Sequence, residues 1–211
     1  HEDEKGVRGR VSPYALLKAD GTSYVSYHTG MEPEPTIRGL FVMSHINALE
    51  AERGRDGIVE LMTRYGKPIR FGMLDNVPVR EEVAIIEHVL DILDPSVSPE
   101  QRAFMAGKLH FNNFSKTELG GLILPLFRSN IRLFFMNANH IAGYVFNGVR
   151  FLSEERGKGD IRVIMENNDY PLDHFAGFFQ SVMEYGRLDG EVHAEDLGGK
   201  RYAYDILWKT D

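Results

Sequence analysis

The sequence predicts an α+β domain in which an N-terminal helical half packs on a C-terminal four-stranded antiparallel sheet (ββαββ), preceded by an N-terminal β-hairpin. Three observations support this prediction. Residues 149–208 contain two pairs of β-prone segments around one helical segment, with glycines at the turn of each pair. Residues 44–146 contain apolar residues at helical spacing. Near the N-terminus, an Asp-Gly pair separates two further β-prone runs.

The C-terminal part is predicted to be a hairpin, a helix and a second hairpin. Its turns are expected at Gly157/Gly159 and at Gly198/Gly199, because glycine adopts the backbone angles that tight turns require. The predicted elements are strands over residues 149–160 and 161–165, a helix over 170–185, and strands over 191–196 and 201–208.

The helical half is predicted to begin with two consecutive helices. The hydroxyl of Ser44 can cap the first helix. Gly54 indicates a break, and Asp56 can cap the second helix, which Gly66 ends. Residues 69–77 are predicted to be irregular.

Further helices are predicted along the rest of this half. Apolar residues recur at spacings of three and four over residues 79–93, which indicates one amphipathic helix. Ser98 is predicted to cap the next helix, and a Ser-x-x-Glu capping box at Ser115 opens another. The apolar segment 131–146 is predicted to be a helix that is broken near Asn137.

The N-terminal segment is predicted to form a separate hairpin. Asp20 and Gly21 lie between β-prone runs, and the glycine can take the positive φ of a tight turn. Two prolines within residues 31–35 disfavour helix and indicate an extended linker. We therefore predict a hairpin with its linker over residues 1–36 and an α+β ligand-binding-like domain over residues 37–211.

Composition excludes several classes of function. Hydrophobic residues make up 43% of the 211 residues, which is enough for a sizeable core. The net charge of −7 disfavours a general nucleic-acid binder. The absence of cysteine excludes disulfides, thiolate zinc sites and cysteine nucleophiles. No apolar run reaches the roughly 18 residues of a membrane span. We expect a cytoplasmic protein.

No stretch carries a catalytic signature. The sequence lacks the Gly-x-Ser-x-Gly nucleophile elbow and both glycine-rich phosphate-binding motifs. No two histidines stand four residues apart, and no Glu-x-x-His motif is present, so a mononuclear metal site would need partners that only the fold brings together. We therefore predict no catalytic residue, no cofactor and no metal ligand.

The histidines are interpreted mainly as structural residues. His110 lies between two predicted helices, where a capping role is favoured over a metal or heme role. His140 stands next to apolar residues and either lines a polar site or hydrogen-bonds at a helix end, which we favour. His45 and His88 are expected on helix surfaces or in the layer between surface and core, and His174 opens the last predicted helix.

Aromatic residues are concentrated in the last third of the chain. Between a helix and a sheet they form a core, or they line an apolar pocket, and core is the favoured interpretation. If a pocket exists, its ligand is held by shape and burial. The candidate ligand-binding residues are Phe134, Phe135, His140, Tyr144, Phe146, Phe175 and Phe178.

Several segments resemble an uncharacterised paralogous family of myxobacteria. They are residues 37–45, 54–65, 114–120 and 170–177, together with Trp208. The hairpin–helix–hairpin ending also resembles a wider group of folds, which comprises the 4-vinyl reductase domain, the heme nitric-oxide-binding domain and the TRAPP-subunit fold. This resemblance implies a domain, often dimeric, that holds a small hydrophobic molecule or a partner protein.

Departures from these relatives limit what the resemblance implies. The heme-binding relatives carry a Tyr-x-Ser-x-Arg motif for the heme propionates, and this chain has none. The TRAPP-type relatives bind an acyl chain on a cysteine, and the vinyl reductase domains often have a cysteine cluster. The chain lacks cysteine, so neither property transfers.

Three functional hypotheses follow from the sequence. The first is a non-enzymatic sensory or scaffold domain that binds a small apolar ligand or a protein, as a homodimer. The second is a pure interaction module that docks through the N-terminal hairpin, whose edge can recruit another strand. The third is a hydrolase or lyase that uses His110 or His140 with a nearby carboxylate.

Overall fold

The computed structural model of the chain describes residues 15–17, 23–25 and 33–210. The chain divides into two compact units, residues 1–33 and 34–211. In the first unit, strands β1 (Ala15–Leu17) and β2 (Ser23–Val25) pair antiparallel, as the hairpin prediction requires. The Asp-Gly turn between them lies outside the described residues. The boundary after residue 36 stays a prediction.

The second unit begins with a short strand and a long kinked helix. Strand β3 (Thr36–Arg38) leads into helix α1 (Gly39–Tyr65). Gly54 interrupts α1 with φ 62° and ψ −157°, so the predicted break is present as a kink inside one continuous element. Gly66 ends the helix in the left-handed conformation typical of a C-terminal cap.

Helix α1 begins at Gly39, so the prediction that Ser44 caps it was wrong. The backbone N–H of Gly39 donates to the carbonyl of Asp75 at 2.8 Å, and that of Leu40 donates to Met73 at 2.9 Å. These loop carbonyls satisfy N–H groups that have no partner inside the helix, and therefore replace a side-chain cap. The Ser44 hydroxyl donates to the carbonyl of Phe41 within the helix, at 2.6 Å.

The remaining helices of this half are short or medium in length. They are α2 (Val79–Leu93), α3 (Arg102–Ser115), α4 (Glu118–Phe127), α5 (Ile131–Met136) and α6 (Ala138–Ala142). The bounds predicted for α2 and the break near Asn137 are confirmed. Helix α4 is capped by Thr117, which accepts from the N–H of Gly120 at 3.0 Å, and not by Ser115 as predicted.

A three-stranded sheet joins the beginning and the end of the helical half. Strand β3 pairs antiparallel with β4 (Asn76–Pro78) on one side and with β5 (Phe146–Asn147) on the other. This sheet was not predicted, because its strands have only two or three residues. Ile37, at its centre, is fully buried.

The predicted ββαββ unit is confirmed. Its elements are β6 (Arg150–Gly157), β7 (Asp160–Glu166), α7 (Leu172–Tyr185), β8 (Gly190–Gly198) and β9 (Arg201–Trp208). The strands form an antiparallel sheet in the order β6-β7-β9-β8. Alternate residues of β7 are buried, as the two-residue period of a strand requires, so the sheet turns one apolar face inward.

Helix α7 lies between the inner face of this sheet and helix α3. On the sheet side, the Tyr204 hydroxyl donates to the carbonyl of Leu172 at 3.0 Å. On the other side, α3 and α7 approach each other through glycines. A Cβ atom on Gly107 would collide with the backbone of His174, and one on Gly177 would collide with the backbone of Phe104. No helix among the described residues is both long enough and apolar enough to cross a bilayer.

Candidate functional site

Helix α7 brings a layer of aromatic rings against the sheet. Phe175, Phe178 and Phe179 stand at spacings of three and four, so they point to neighbouring positions on the helix surface. The ring centroid of Phe175 lies 5.8 Å from that of Phe151 on β6. The ring of Phe179 lies 5.3 Å from that of Tyr204 on β9. Edge-to-face packing of this kind makes the layer rigid as well as apolar.

A cavity of about 40 Å³ lies beside this layer. Helices α3, α5, α6 and α7 surround it, together with strands β5 and β6. Its walls are apolar apart from one imidazole ring. The lining residues are His110, Phe114, Phe134, Ala138, Ile141, Ala142, Val145, Phe146, Phe151, Phe175, Phe178 and Phe179.

Four of the seven predicted ligand-binding residues line this cavity, namely Phe134, Phe146, Phe175 and Phe178. The other three lie elsewhere. Phe135 is fully buried and packs against Phe179, with ring centroids 5.7 Å apart. His140 and Tyr144 are exposed on and after α6, and the Tyr144 hydroxyl lies 3.4 Å from Nε2 of His140. The binding role of all seven stays a prediction.

A cluster of buried polar side chains adjoins the cavity through His110. It joins four helices: α1 contributes His45, α2 Glu82, α3 His110 and α7 His174. His45 Nε2 lies 2.7 Å from Glu82 Oε1, and His110 Nδ1 lies 3.8 Å from the same oxygen. His110 Nδ1 is hydrogen-bonded with His174 Nε2 at 3.0 Å. All four side chains are at most 2% exposed.

The expectation that His45 lies on a helix surface was wrong, because its side chain is fully buried. His110 lies within α3 and not in a loop between helices. A signal for the cluster was present in α2. Glu82 stands between Val79 and Ile86 at spacings of three and four, so a carboxylate occupies the apolar face of an amphipathic helix.

Hydrogen bonds fix the orientation of His45. The side-chain amide of Asn113, on α3, lies 2.9 Å from His45 Nδ1, on the opposite edge of the ring from Glu82. If the amide nitrogen donates to Nδ1, the Nε2–H of a neutral His45 donates to the Glu82 carboxylate. Asn113 is itself only 2% exposed, so both contacts of the ring are shielded from water.

Burial determines the protonation of the cluster. It lowers the pKa of His110 to about 4, against the opposing charge of Glu82. It also lowers the pKa of His174 to about 3, and the nearby His110 adds to this shift. Burial alone would raise the pKa of Glu82, but the charge of His110 and the hydrogen bond with His45 outweigh it, and the pKa falls to about 2. At neutral pH the cluster therefore contains a buried carboxylate and at least two uncharged imidazoles.

Three buried polar atoms of this region have no hydrogen bond of good geometry among the described residues. They are Glu82 Oε2, His174 Nδ1 and the hydroxyl of Tyr170. Burial raises the pKa of Tyr170 well above its usual value, and the nearby Glu82 carboxylate adds to the effect through its charge and as a hydrogen-bond acceptor, so the phenol stays protonated. Unpaired buried polar groups cost free energy, and native proteins contain few of them. The cluster is therefore unusual in the number of polar atoms that it leaves without a well-formed hydrogen bond.

Comparison with known proteins gives the family. The family model described as "Protein of unknown function (DUF2378)" matches residues 31–209. The chain belongs to this family. No curated protein matches the sequence significantly.

Solved structures of the same fold are H-NOX domains. An oxygen-binding H-NOX domain related to soluble guanylate cyclases, in its oxygen complex, has a TM-score of 0.61 and 16% identity, covering 82% of this chain and 95% of that one. An Fe(II) unliganded H-NOX protein from K. algicida has a TM-score of 0.58 and 13% identity, covering 82% and 97%. A structure from work on heme distortion in the H-NOX family has a TM-score of 0.60 and 16% identity, covering 82% and 95%.

At these identities the likeness shows the fold alone. This DUF2378 chain therefore has an H-NOX-like α+β fold, which confirms the fold part of the predicted resemblance to the heme nitric-oxide-binding domains.

Proposed function

We propose that this domain is a non-enzymatic sensory domain that binds a small apolar molecule in the cavity beside His110. The observation that carries the proposal is the cavity itself, whose lining is apolar except for that one imidazole. Apolar cavities in proteins stay free of water and accept apolar guests. The fold neighbours support the proposal, since one of them is described as oxygen-binding and in complex with oxygen.

Heme does not fit the described residues. The cavity measures about 40 Å³, whereas pockets for organic ligands span roughly 300–1,000 Å³. His140 is exposed and contacts Tyr144. We therefore assign heme no part in the function of this chain.

The size of the cavity limits the class of ligand. One water-sized probe needs about 10–15 Å³, so this cavity accommodates about three such units. That is the size of a diatomic gas or of another molecule with two or three heavy atoms. A larger apolar molecule would have to displace one of the phenylalanine rings, several of which are packed edge to face.

His110 connects the cavity to the rest of the fold, so ligand binding can affect the other helices through it. Its ring lies in the cavity wall and also belongs to the cluster that joins α1, α2, α3 and α7. A molecule in the cavity that contacts this ring favours some positions of α3 over others. Such differential contact is what a sensory domain needs in order to shift between two states.

The other functional hypotheses receive less support. His110 lies 3.8 Å from the Glu82 carboxylate, beyond hydrogen-bond distance, and within residues 33–210 His140 forms no ion pair with a carboxylate. The side chains of the N-terminal hairpin lie outside the described residues, so docking through it stays a prediction. A partner protein, a homodimer, a cytoplasmic location, the myxobacterial paralogy and the vinyl reductase and TRAPP grouping also stay predictions.

Xenon binding tests the proposal, because xenon enters small apolar cavities without chemistry of its own. We expect xenon to bind the unmodified protein saturably, with amide NMR shifts concentrated around α3, α6 and α7. Substituting Ala142→Leu, in the cavity wall, should fill the space and abolish these shifts. The matched control is Ala106→Val, at a fully buried position outside the lining.

Two outcomes would reject the apolar-ligand function. One is the absence of localised, saturable shifts in the unmodified protein. The other is an Ala142→Leu variant that melts cooperatively and still binds xenon like the parent, since the probe would then occupy another place.

A further inference from the structure

We propose that His45, Glu82 and His110 form a binding site for a divalent transition-metal ion, buried where α1, α2 and α3 meet, with His174 of α7 beside it. The proposal goes beyond the apolar-ligand function and does not depend on it. One donor atom from each of the three residues lies within 4.8 Å of the other two. The ion would connect three helices that lie far apart in the sequence.

The donor set suits a particular class of ions. Two imidazole nitrogens and one carboxylate oxygen are the ligands of many zinc sites, and of iron(II) sites with open positions. Calcium and magnesium prefer sites made of oxygen atoms. The chain has no cysteine, so thiolate coordination does not compete.

Distances in the cluster are close to those of a coordination shell. Ligands about 2.0–2.1 Å from zinc lie roughly 3 Å from each other. His45 Nε2 and Glu82 Oε1 are 2.7 Å apart, and His110 Nδ1 and Glu82 Oε1 are 3.8 Å apart. Small side-chain rotations would therefore place all three around one ion.

Charge provides a second, independent observation. Glu82 is fully buried, and its Oε2 has no hydrogen bond of good geometry among the described residues. No lysine or arginine in the described part of the chain pairs with it. A buried carboxylate is costly without a nearby positive charge, and a divalent cation supplies that charge.

Two neighbouring side chains can orient the metal-binding histidines or add a ligand to them. A histidine that binds metal through Nε2 carries its proton on Nδ1 and donates it to an acceptor. Asn113 lies 2.9 Å from His45 Nδ1, and its amide can present oxygen there, since the two orientations of an amide are interchangeable. His174 Nε2 lies 3.0 Å from His110 Nδ1, close enough to contribute a further nitrogen donor.

The first experiment uses the unmodified, untagged protein, stripped of metal with a chelator. Calorimetric titration with Zn²⁺ should show one ion per chain, and the melting temperature should rise with Zn²⁺ concentration, because the ligand binds only the folded state. Co²⁺ should give the visible absorption bands of a nitrogen- and oxygen-coordinated ion. The proposal is overturned if neither ion binds at about one per chain; the cluster is then a hydrogen-bonded network only.

Variants locate the site. Glu82→Gln keeps the size of the side chain and removes a ligand, so it should weaken Zn²⁺ binding by more than the ~10–100-fold that is typical of losing an outer partner. Asn113→Ala removes such an outer partner, so it should weaken Zn²⁺ binding by only ~10–100-fold. The control is His193→Asn, because His193 forms an exposed pair with Glu191 at 2.9 Å, and this variant should bind like the parent.

The results also separate this site from the others. Zn²⁺ binding that is lost in His193→Asn and retained in Glu82→Gln would place the ion on the surface and reject the proposal. If Glu82→Gln fails to fold, the Co²⁺ spectrum and the binding stoichiometry of the unmodified protein still decide whether the proposed metal site exists. Xenon binding is measured on metal-free protein, so failure of one proposal leaves the other intact.

Discussion

Gly177→Ala should lower the free energy of unfolding by about 3 kcal/mol or more, although it adds a single methyl group. Gly177 lies on the buried side of α7, where a Cβ would collide with the backbone carbonyl of Phe104 in α3. Backbone atoms within a helix cannot rotate away as a side chain can, so the two helices must separate. Urea unfolding followed by circular dichroism measures the change.

Gly121→Ala is the matched control for this prediction. Gly121 also lies within a helix, α4, but it is exposed and an added Cβ would meet no atom within 4 Å. Since alanine has the higher helix propensity, this variant should be neutral or more stable by up to about 1 kcal/mol. Equal effects of the two substitutions would show that α3 and α7 do not approach as closely as described.

The close crossing of α3 and α7 also positions the candidate site. Gly107 makes the reciprocal approach, against the backbone of His174. That approach brings the imidazoles of His110 and His174 within 3.0 Å of each other. Larger residues at the two glycines would therefore weaken the histidine cluster as well as the packing.

Local sequence patterns predicted the elements that are long and periodic. The apolar spacing in α2 gave its bounds, and the glycine turns gave the two hairpins around α7. The three-stranded sheet was missed because β3, β4 and β5 have at most three residues each, too few to show a period. Its pairing brings together residues 36 and 147, and no local pattern contains that information.

The candidate site was only partly predictable for the same reason. Aromatic residues were numerous enough in the last third of the chain to indicate the layer that lines the cavity. The polar cluster depends on His45, Glu82, His110 and His174, which come from four separate helices. Each lies in a different helix, so their proximity follows only from helix packing. Glu82 on an apolar helix face was the one local sign.

Phe175→Ala is expected to lower the free energy of unfolding by about 3–5 kcal/mol, a loss comparable to that of Gly177→Ala, and to enlarge the cavity. Phe175 is 2% exposed and lies in the cavity wall. Its ring lies 5.8 Å from that of Phe151 on β6 and 6.4 Å from that of His110 on α3, so its removal takes contacts from both the sheet side and the helix side of the layer. The surrounding rings are held by other contacts and can close the space only in part.

Benzene distinguishes an enlarged cavity from a collapsed one. Apolar cavities of about 150 Å³ bind benzene in other proteins. We therefore expect benzene to raise the melting temperature of Phe175→Ala, because binding to the folded state adds stability by mass action. Phe175→Leu, which retains most of the side chain, should lose less stability and respond little to benzene. If benzene leaves Phe175→Ala unchanged while its unfolding stays cooperative, the layer has repacked around the substitution, and the cavity beside His110 is too easily deformed to select ligands by size.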